Sequence, residues 1–470
     1  MTTVMPIFFK TDHRNPFQAN PSLDRTNLHM LSWGLGLAAL IVLLLYDQCR
    51  FGLNVPPSGG GDEAEYDSLG WELSQGRGFQ IRPSDPVFRK PYDNYWRNSP
   101  EHALPVVREG TTASRPPLYP LILAGLNNMF GRQFWSPRVL NATCLAVTCG
   151  LLVSFLIQSQ GWKAAWLGAF LFVVVDTRTR LYGRTLLTEP LAVIFTTLLL
   201  LLLARDEQRP TFRNAAMSGA LLGLMVLTRS QFIFWAPPLI LLVAWLIRKR
   251  SREIAQRETW RIPAAHAAVF TGSMLLVLAP WMIRNCLVLR EAMPLGTQGA
   301  AQLPAGFSDG AWELRGYWKN LVLTGTYDAV LHPGMTRLEE EIAMAKSGNA
   351  QAQKWIRQHP VKALLLIPLK VRHELLAQSP IQIALLIFAG VGGVANWHLP
   401  GIRIGCWLFA CNSLAVGLTW SVDDGRFFVP LIFLEDALAT LGLMRVIQSI
   451  QMRCQFSNMQ SSKSRAGGVA

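Results

Sequence analysis

The chain has 470 residues, 50% of them hydrophobic and only 16% charged, with a mean hydropathy of +0.24. Soluble domains carry about 25% charged residues, whereas here the apolar residues gather in runs of the roughly 20 residues a bilayer requires, which excludes an ordinary soluble domain. The net charge of +14 lies largely in loops, where it orients membrane helices, so no nucleic-acid partner is read from it.

The pattern predicts an all-α, polytopic transmembrane bundle of about ten spans. Their cores are 31–47, 138–157, 162–177, 186–204, 214–229, 231–247, 264–283, 380–396, 402–420 and 428–447. Segment 1–30 is polar and is read as cytoplasmic. The first apolar run, Leu31–Tyr46, has no small-residue cleavage site after it and is read as a retained helix. A catalytic module is expected over 31–290, including a long outer loop at 48–137. A second outer loop follows at 291–379, then helices over 380–447 and a cytoplasmic tail at 448–470. Three basic segments set the orientation: Arg205, Arg209 and Arg213; Arg248 to Arg261; and the tail from Arg445. With both termini inside, all three face the cytoplasm, as the positive-inside rule demands. No internal repeat is visible.

Both outer loops are rich in aromatic residues, which suits helices lying along the membrane surface. Asp62–Gln75 and Pro116–Met129 are the expected interfacial helices, and Val361–Leu369, apolar but too short to span, is either a third such helix or a re-entrant piece. Four of the seven cysteines lie inside apolar runs, where they pack; Cys49 and Cys286 fall near outer helix ends, where a disulfide is one option. Asn141-Ala142-Thr143 matches a glycosylation triplet but lies in a span. Glu101 and His102 have no partner at metal-ligand spacing, so no metal site is predicted, although a divalent ion stays open as a cofactor.

Chemistry is expected where charge meets the membrane boundary, because a carboxylate there is costly. Asp62 and Glu63 follow three glycines and open a helix that carries Tyr66 on the Asp62 face; Gly76 and Gly78 end it. Asp62 reads either as a helix N-cap or as an acid/base group. Next, Ser114-Arg115-Pro116-Pro117-Leu118-Tyr119 places Arg115 beside a helix N-terminus, a site suited to a phosphate. Arg178, Arg180, Arg184, Arg229, Arg284 and Arg426 lie in outer segments that are normally poor in basic residues. Their planar forks suit an anionic lipid or leaving group. Glu189, in Thr188-Glu189-Pro190, either compensates a helix dipole or faces the same cavity.

The order Asp-Glu-x-x-Tyr, basic-Pro-Pro-Leu-Tyr, Thr-Glu-Pro and Arg-Phe-x-x-Pro resembles the GT-C glycosyltransferases. The resemblance is to the family 39 protein mannosyltransferases and the bacterial aminoarabinose transferases. It covers most of 31–290 and recurs around Gly425–Pro430. It implies transfer of a sugar from a polyprenyl-phosphate donor to a lipid, glycan or protein acceptor on the outer face of a bacterial inner or plasma membrane. Asp62 would be the general base with Glu63 as its neighbour. Tyr66, Arg115, Tyr119, Arg184, Glu189, Arg229 and Arg426 would bind substrate or phosphate. Arginine replaces the usual lysine or histidine at 115, and the stretch Phe79–Ser114 is longer than usual. A transporter or lipid flippase, a lipid-linked glycan polymerase or ligase, and a receptor-like protein are the competing readings. Absence of a repeat and the gathering of polar residues at one face favour the enzyme.

Overall fold

Asp62, Glu63 and Glu65 fill the first turn of a helix that runs Asp62–Ser74, where three carboxylates complement the positive end of the helix dipole. The helix is capped by the Gly61 backbone without any side-chain bond, and Gly76 turns the chain away with φ of 69°. Asp62 is therefore not an N-cap, and its carboxylate is free to face elsewhere. Residues 25–255, 260–376 and 379–466 are described by this computed structural model.

In chain order the helices are α1 (Arg25–Arg50), α2 (Asp62–Ser74), α3 (Pro86–Tyr95), α4 (Leu118–Phe130), α5 (Trp135–Gln160), α6 (Trp162–Phe170) and α7 (Thr177–Gly183). They continue with α8 (Glu189–Gln208), α9 (Phe212–Thr228), α10 (Ala236–Ala255), α11 (Arg261–Leu289), α12 (Gln298–Gly306) and α13 (Asp309–Glu313). The last five are α14 (Arg337–Gln358), α15 (Pro360–Leu376), α16 (Pro380–Ala395), α17 (Pro400–Leu418) and α18 (Ile432–Ala466). Among the described residues the only sheet is a two-stranded antiparallel ribbon, β1 (Gln80–Ile81) with β2 (Gly110–Thr111). The chain is an all-α, polytopic membrane protein.

Six stretches among the described residues are long and apolar enough to cross a bilayer: His29–Arg50, Trp135–Gln160, Ser230–Arg250, Arg261–Leu289, Pro400–Leu418 and Gly425–Gln455. The bent pair α15–α16 makes a seventh if it counts as one span. Three stretches of the expected ten fall short for identifiable reasons. The run at 162–177 breaks where α6 passes into a π turn at Leu171–Val175. The run at 186–204 lies on α8, which keeps Glu189, Arg205, Asp206 and Glu207 within its 20 residues. The run at 214–229 lies on α9, only 17 residues long.

The bundle is assembled pairwise: α1 on α5, α9 on α11, α8 on α9 and α16 on α18. Between apolar helices in lipid, close van der Waals packing replaces the hydrophobic drive. Gly392 of α16 and Gly442 of α18 meet there, and a Cβ on either would strike the backbone carbonyl of the facing helix. The expected outer elements form as α2, α4 and α15. The stretch Phe79–Ser114 is a folded unit, not a loose insertion. Asp85 caps α3 by accepting from the Val87 and Phe88 amides, and Phe88 and Tyr92 of that helix are fully buried against Ala64, Leu104, Phe134 and Leu186. The segment 291–379 is tied to the segment 48–137 through α14: Glu341 accepts from the Thr112 hydroxyl (2.5 Å) and the Ala113 amide (2.9 Å).

Candidate active site

The charged side chains at one end of the bundle form a chain of alternating sign. It begins at Glu341 of α14, which accepts from Arg337 (2.8 Å). Arg337 also reaches Glu65 of α2 (3.2 Å), and Glu65 accepts from Arg115 (2.6 Å). Arg115 continues to Asp62 (2.6 Å), and Asp62 to Arg426 (2.9 Å). Arg426 bonds Glu189, which also accepts from Arg229 (2.6 Å). Four acids and four arginines from six separate parts of the chain thus balance one another. Buried ions require such partners, since an unpaired charge in a dry interior costs several kcal/mol.

Midway along, the chain opens into a cavity of about 280 Å³. Asp62, Arg115, Arg229 and Arg426 line it, with Tyr66, Gln298, Gln302, Trp318 and Trp420 among the rest of its wall. Asp62 is the most open acid of the chain, its side chain 30% exposed, whereas Glu189 is fully buried behind its arginines. Glu189 uses one carboxylate oxygen for both arginines, while its other oxygen, buried, has no protein partner among the described residues.

Neighbouring elements hold these groups in place. Arg115 lies over the Tyr66 ring (5.4 Å), which packs edge-on against Tyr119 (5.4 Å). The connection from α17 to α18 carries Trp420 and Arg426, and α15 staples it at two points. Buried Glu374 accepts from the amides of Val422 (2.5 Å) and Phe427 (3.2 Å), and buried Lys370 donates to the Thr419 carbonyl (2.8 Å). Gly306, at the end of α12, packs against that same carbonyl where a Cβ would clash.

Electrostatics separate the two neighbouring acids. Burial alone raises the Asp62 pKa, but the Arg115 and Arg426 guanidinium groups outweigh it and hold the carboxyl well below the usual carboxylate range. Burial pushes the Glu63 carboxyl up, and its bond from the Leu186 amide only partly offsets this. Arg115 stays charged because Asp62 and Glu65 more than compensate its burial.

The structure brings Asp62, Tyr66, Arg115, Glu189, Arg229 and Arg426 to one place. It does not bring Glu63, Tyr119 or Arg184 to the cavity wall. Glu63 points the other way on α2 and accepts from the Leu186 amide (2.7 Å). Tyr119 is fully buried behind Tyr66, its hydroxyl 3.4 Å from Asn141. Arg184 lies over the Phe51 ring (3.7 Å). Arg178 is sealed inside the bundle with Asp176 (2.5 Å) and Glu435 (3.0 Å), Arg180 bonds the carbonyls of Val173 and Val174, and Arg284 bonds the Thr112 carbonyl (2.9 Å). Cys49 and Cys286 are both free thiols.

Sequence reading missed Glu65, Gln298, Gln302, Trp318 and Trp420. Glu65 had a usable signal: it lies three residues after Asp62 and shares its helix face, whereas Glu63 is rotated by about 100°. The other four come from distant elements and carry no local signature. Among the described residues no three His, Cys, Asp or Glu side chains converge to hold an ion. The acids near the cavity are each engaged by arginine.

Residues 114–283 match the family model described as dolichyl-phosphate-mannose-protein mannosyltransferase. The match spans Arg115, Tyr119, Glu189 and Arg229 and leaves out Asp62 and Arg426. The chain thus resembles this glycosyltransferase family, as its motif order indicates. No curated protein matches the chain. Among solved structures it is similar to ArnT from Cupriavidus metallidurans bound to undecaprenyl phosphate, at 14% identity and a TM-score of 0.40, covering 89% of this chain and 77% of that one. The apo structure of the same protein gives 15% identity and a TM-score of 0.37 over the same shares.

Proposed function

We propose that the protein is an inverting membrane glycosyltransferase that moves a sugar from a polyprenyl-phosphate donor to a hydroxyl-bearing acceptor at the outer membrane face. One observation carries the reading: in a cavity at the bundle's end, a single open carboxylate, Asp62, is bridged by two arginines, with a third alongside.

The acceptor oxygen attacks the anomeric carbon as the carbon–oxygen bond to the phosphate breaks. The electron pair leaves with the lipid phosphate, and Asp62 takes the acceptor proton. Arg115, Arg229 and Arg426 stabilise the departing charge from preset positions, which saves reorganisation at the moment of reaction. A carboxylate clamped by two guanidinium groups is a weak base. The donor phosphate relieves this, because it competes with Asp62 for the same forks. As Arg115 or Arg426 turns to the phosphate, the proton affinity of Asp62 rises. Donor binding thereby arms the base, and it does so only when there is a leaving group to expel.

Sidedness is supported by helix direction. The cavity gathers the start of α8, the end of α9 and the α17–α18 connection. Arg205, Arg209 and Arg213 lie at the opposite ends of α8 and α9, where the positive-inside rule places the cytoplasm.

The test is a deletion strain whose glycolipids and glycoproteins are profiled by mass spectrometry. Wild-type protein restores a missing sugar modification, and Asp62→Asn, expressed to the same level, does not. Restoration by Asp62→Asn would remove Asp62 as the base. A profile unchanged by the deletion would sink the transferase reading.

A further inference from the structure

We infer that the bundle carries a second lipid site, a groove between α5, α8 and α9 at their cytoplasmic ends, built for an anionic phospholipid of the cytoplasmic leaflet. It shares no residue with the cavity that Asp62 lines, and it stands whether or not the transfer reading does.

The groove encloses about 430 Å³, within the size range of ligand pockets. Each helix turns one face to it. Leu151 and Phe155 come from α5, Leu198 and Leu201 from α8, and Met217 and Leu221 from α9. The members of each pair are three or four residues apart, so they lie one above the other on their helix. Leu198 is 37% exposed and Met217 44%, so the groove stands open along the side of the bundle that meets lipid.

Polarity enters at one end. Arg205 is the one charged residue of the lining, and Gln158 and Gln208 join it there. They lie in the last turns of α5, which ends at Gln160, and of α8, which ends at Gln208. Arg209 and Arg213 follow directly in the chain, and the positive-inside rule assigns this end to the cytoplasm. The arginines around Asp62 are each bonded to a carboxylate, and Arg205 is not. Among the described residues no carboxylate or carbonyl accepts a bond from its guanidinium. The adjacent acid, Asp206, interacts with it through space but is buried and rotated by about 100° around α8.

An occupant must therefore lay an apolar body along the three helices and present an anion at the mouth. A phospholipid joins both in one molecule. Its acyl chain follows the leucines while its phosphate diester meets the planar fork of Arg205. Basic pockets between membrane helices on the cytoplasmic side take such headgroups. Net negative charge is favoured because Arg209 and Arg213 stand nearby and no acid faces the mouth from the lining. An isoprenoid tail descending from the outer cavity would fill the apolar walls but has nothing to offer Arg205.

The experiment titrates the full chain, purified in a neutral detergent, with phosphatidylglycerol, with phosphatidylcholine of the same acyl chains and with polyprenyl phosphate, and reads bound lipid by native mass spectrometry. Phosphatidylglycerol binds its first site about tenfold more tightly than phosphatidylcholine. Arg205→Gln cuts that ratio to below about twofold, Arg205→Lys keeps part of it because the charge stays while the fork is lost, and Arg209→Gln leaves most of it in place. Should Arg205→Gln misfold, Met217→Trp at the open rim narrows the groove and should lose phosphatidylglycerol instead. Equal affinity for the two phospholipids would overturn the anionic assignment. A preference that survives Arg205→Gln, or that falls equally in Arg209→Gln, would mean a diffuse attraction to basic loops and would overturn the site. Undiminished binding in Met217→Trp would overturn the groove. Displacement of phosphatidylglycerol by polyprenyl phosphate at equal concentration would assign the groove to a polyprenyl chain and overturn the phospholipid.

Discussion

Two of the arginine–carboxylate clusters in this bundle differ in one respect. The Asp62–Arg115–Arg426–Glu189–Arg229 cluster opens into a cavity, whereas Asp176, Arg178 and Glu435 are closed in, with Arg178 only 2% exposed. Both satisfy the same rule, that charge buried near lipid must be paired. Composition and position therefore do not distinguish a catalytic arginine from a structural one. What distinguishes them is whether a third party can reach the pair. In the sealed cluster the ion pairs are permanent, and their value is to fix where α7 meets α18. On the proposed function the pairs of the open cluster are exchangeable, with a phosphate replacing the carboxylate as the arginines' partner.

Substitutions at equivalent places in the two clusters sharpen this contrast. The largest effect is expected at Asp62. Removing a general base costs about 10²–10⁴ in rate, so Asp62→Asn should lose turnover by that amount in a reconstituted transfer assay while donor affinity holds or tightens, because two arginines are freed for the phosphate. Weaker donor binding in that variant would count against the exchange. The sealed cluster should answer in stability instead. Arg178→Ala leaves Asp176 and Glu435 buried without their cation, a loss of about 3–5 kcal/mol, visible as a lower unfolding temperature in detergent; near-normal stability would mean the cluster is not closed.

Arg115 comes next. Its loss removes a charged hydrogen-bond donor worth about 1.5–3 kcal/mol to the phosphate, so Arg115→Gln should raise the KM for the lipid donor about 10–100-fold. It also has a pH signature. Arg115 helps hold the Asp62 pKa down, so removing that positive neighbour moves the pKa up. A depressed carboxylate contributes stability above its unfolded pKa, and that contribution is lost as pH falls through the folded value. In Arg115→Gln both the acid limb of activity and acid unfolding should shift to higher pH. A limb that stays in place would show that Arg115 does not set the charge state of Asp62.

Much of the open cluster is legible in the chain because Asp62, Arg115, Glu189, Arg229 and Arg426 each border an apolar run, where a charge is conspicuous. Arg178 and Arg184 look the same by that criterion, and only packing reveals that one is sealed and the other lies over Phe51. The neutral wall is illegible for a different reason. Trp318 and Trp420 are brought together by the bridge between Tyr317 and Ser421, and Glu374 secures the second segment by accepting two of its amides. These are pairings across about 50 to 100 residues with no periodicity to announce them. Span count suffered similarly, since hydropathy sees the apolar residues of 162–177 but not the π turn that breaks them.

The smallest predicted effect is the one that separates the neighbouring acids. Glu63 faces Leu186, not the cavity, and burial raises its pKa. A carboxyl raised in this way contributes stability below its unfolded pKa and loses it as pH rises through the folded value. Glu63→Gln keeps an oxygen for the Leu186 amide and removes the charge. Its stability should stay within about 1 kcal/mol of wild type, with any gain appearing at the alkaline end and vanishing toward acid, where Glu63 itself becomes neutral. Transfer should remain within about twofold, because the residue touches neither phosphate nor acceptor. Loss of activity in Glu63→Gln at normal unfolding temperature would place the second acid in the chemistry and would make the rotation between positions 62 and 63 on α2 irrelevant to function.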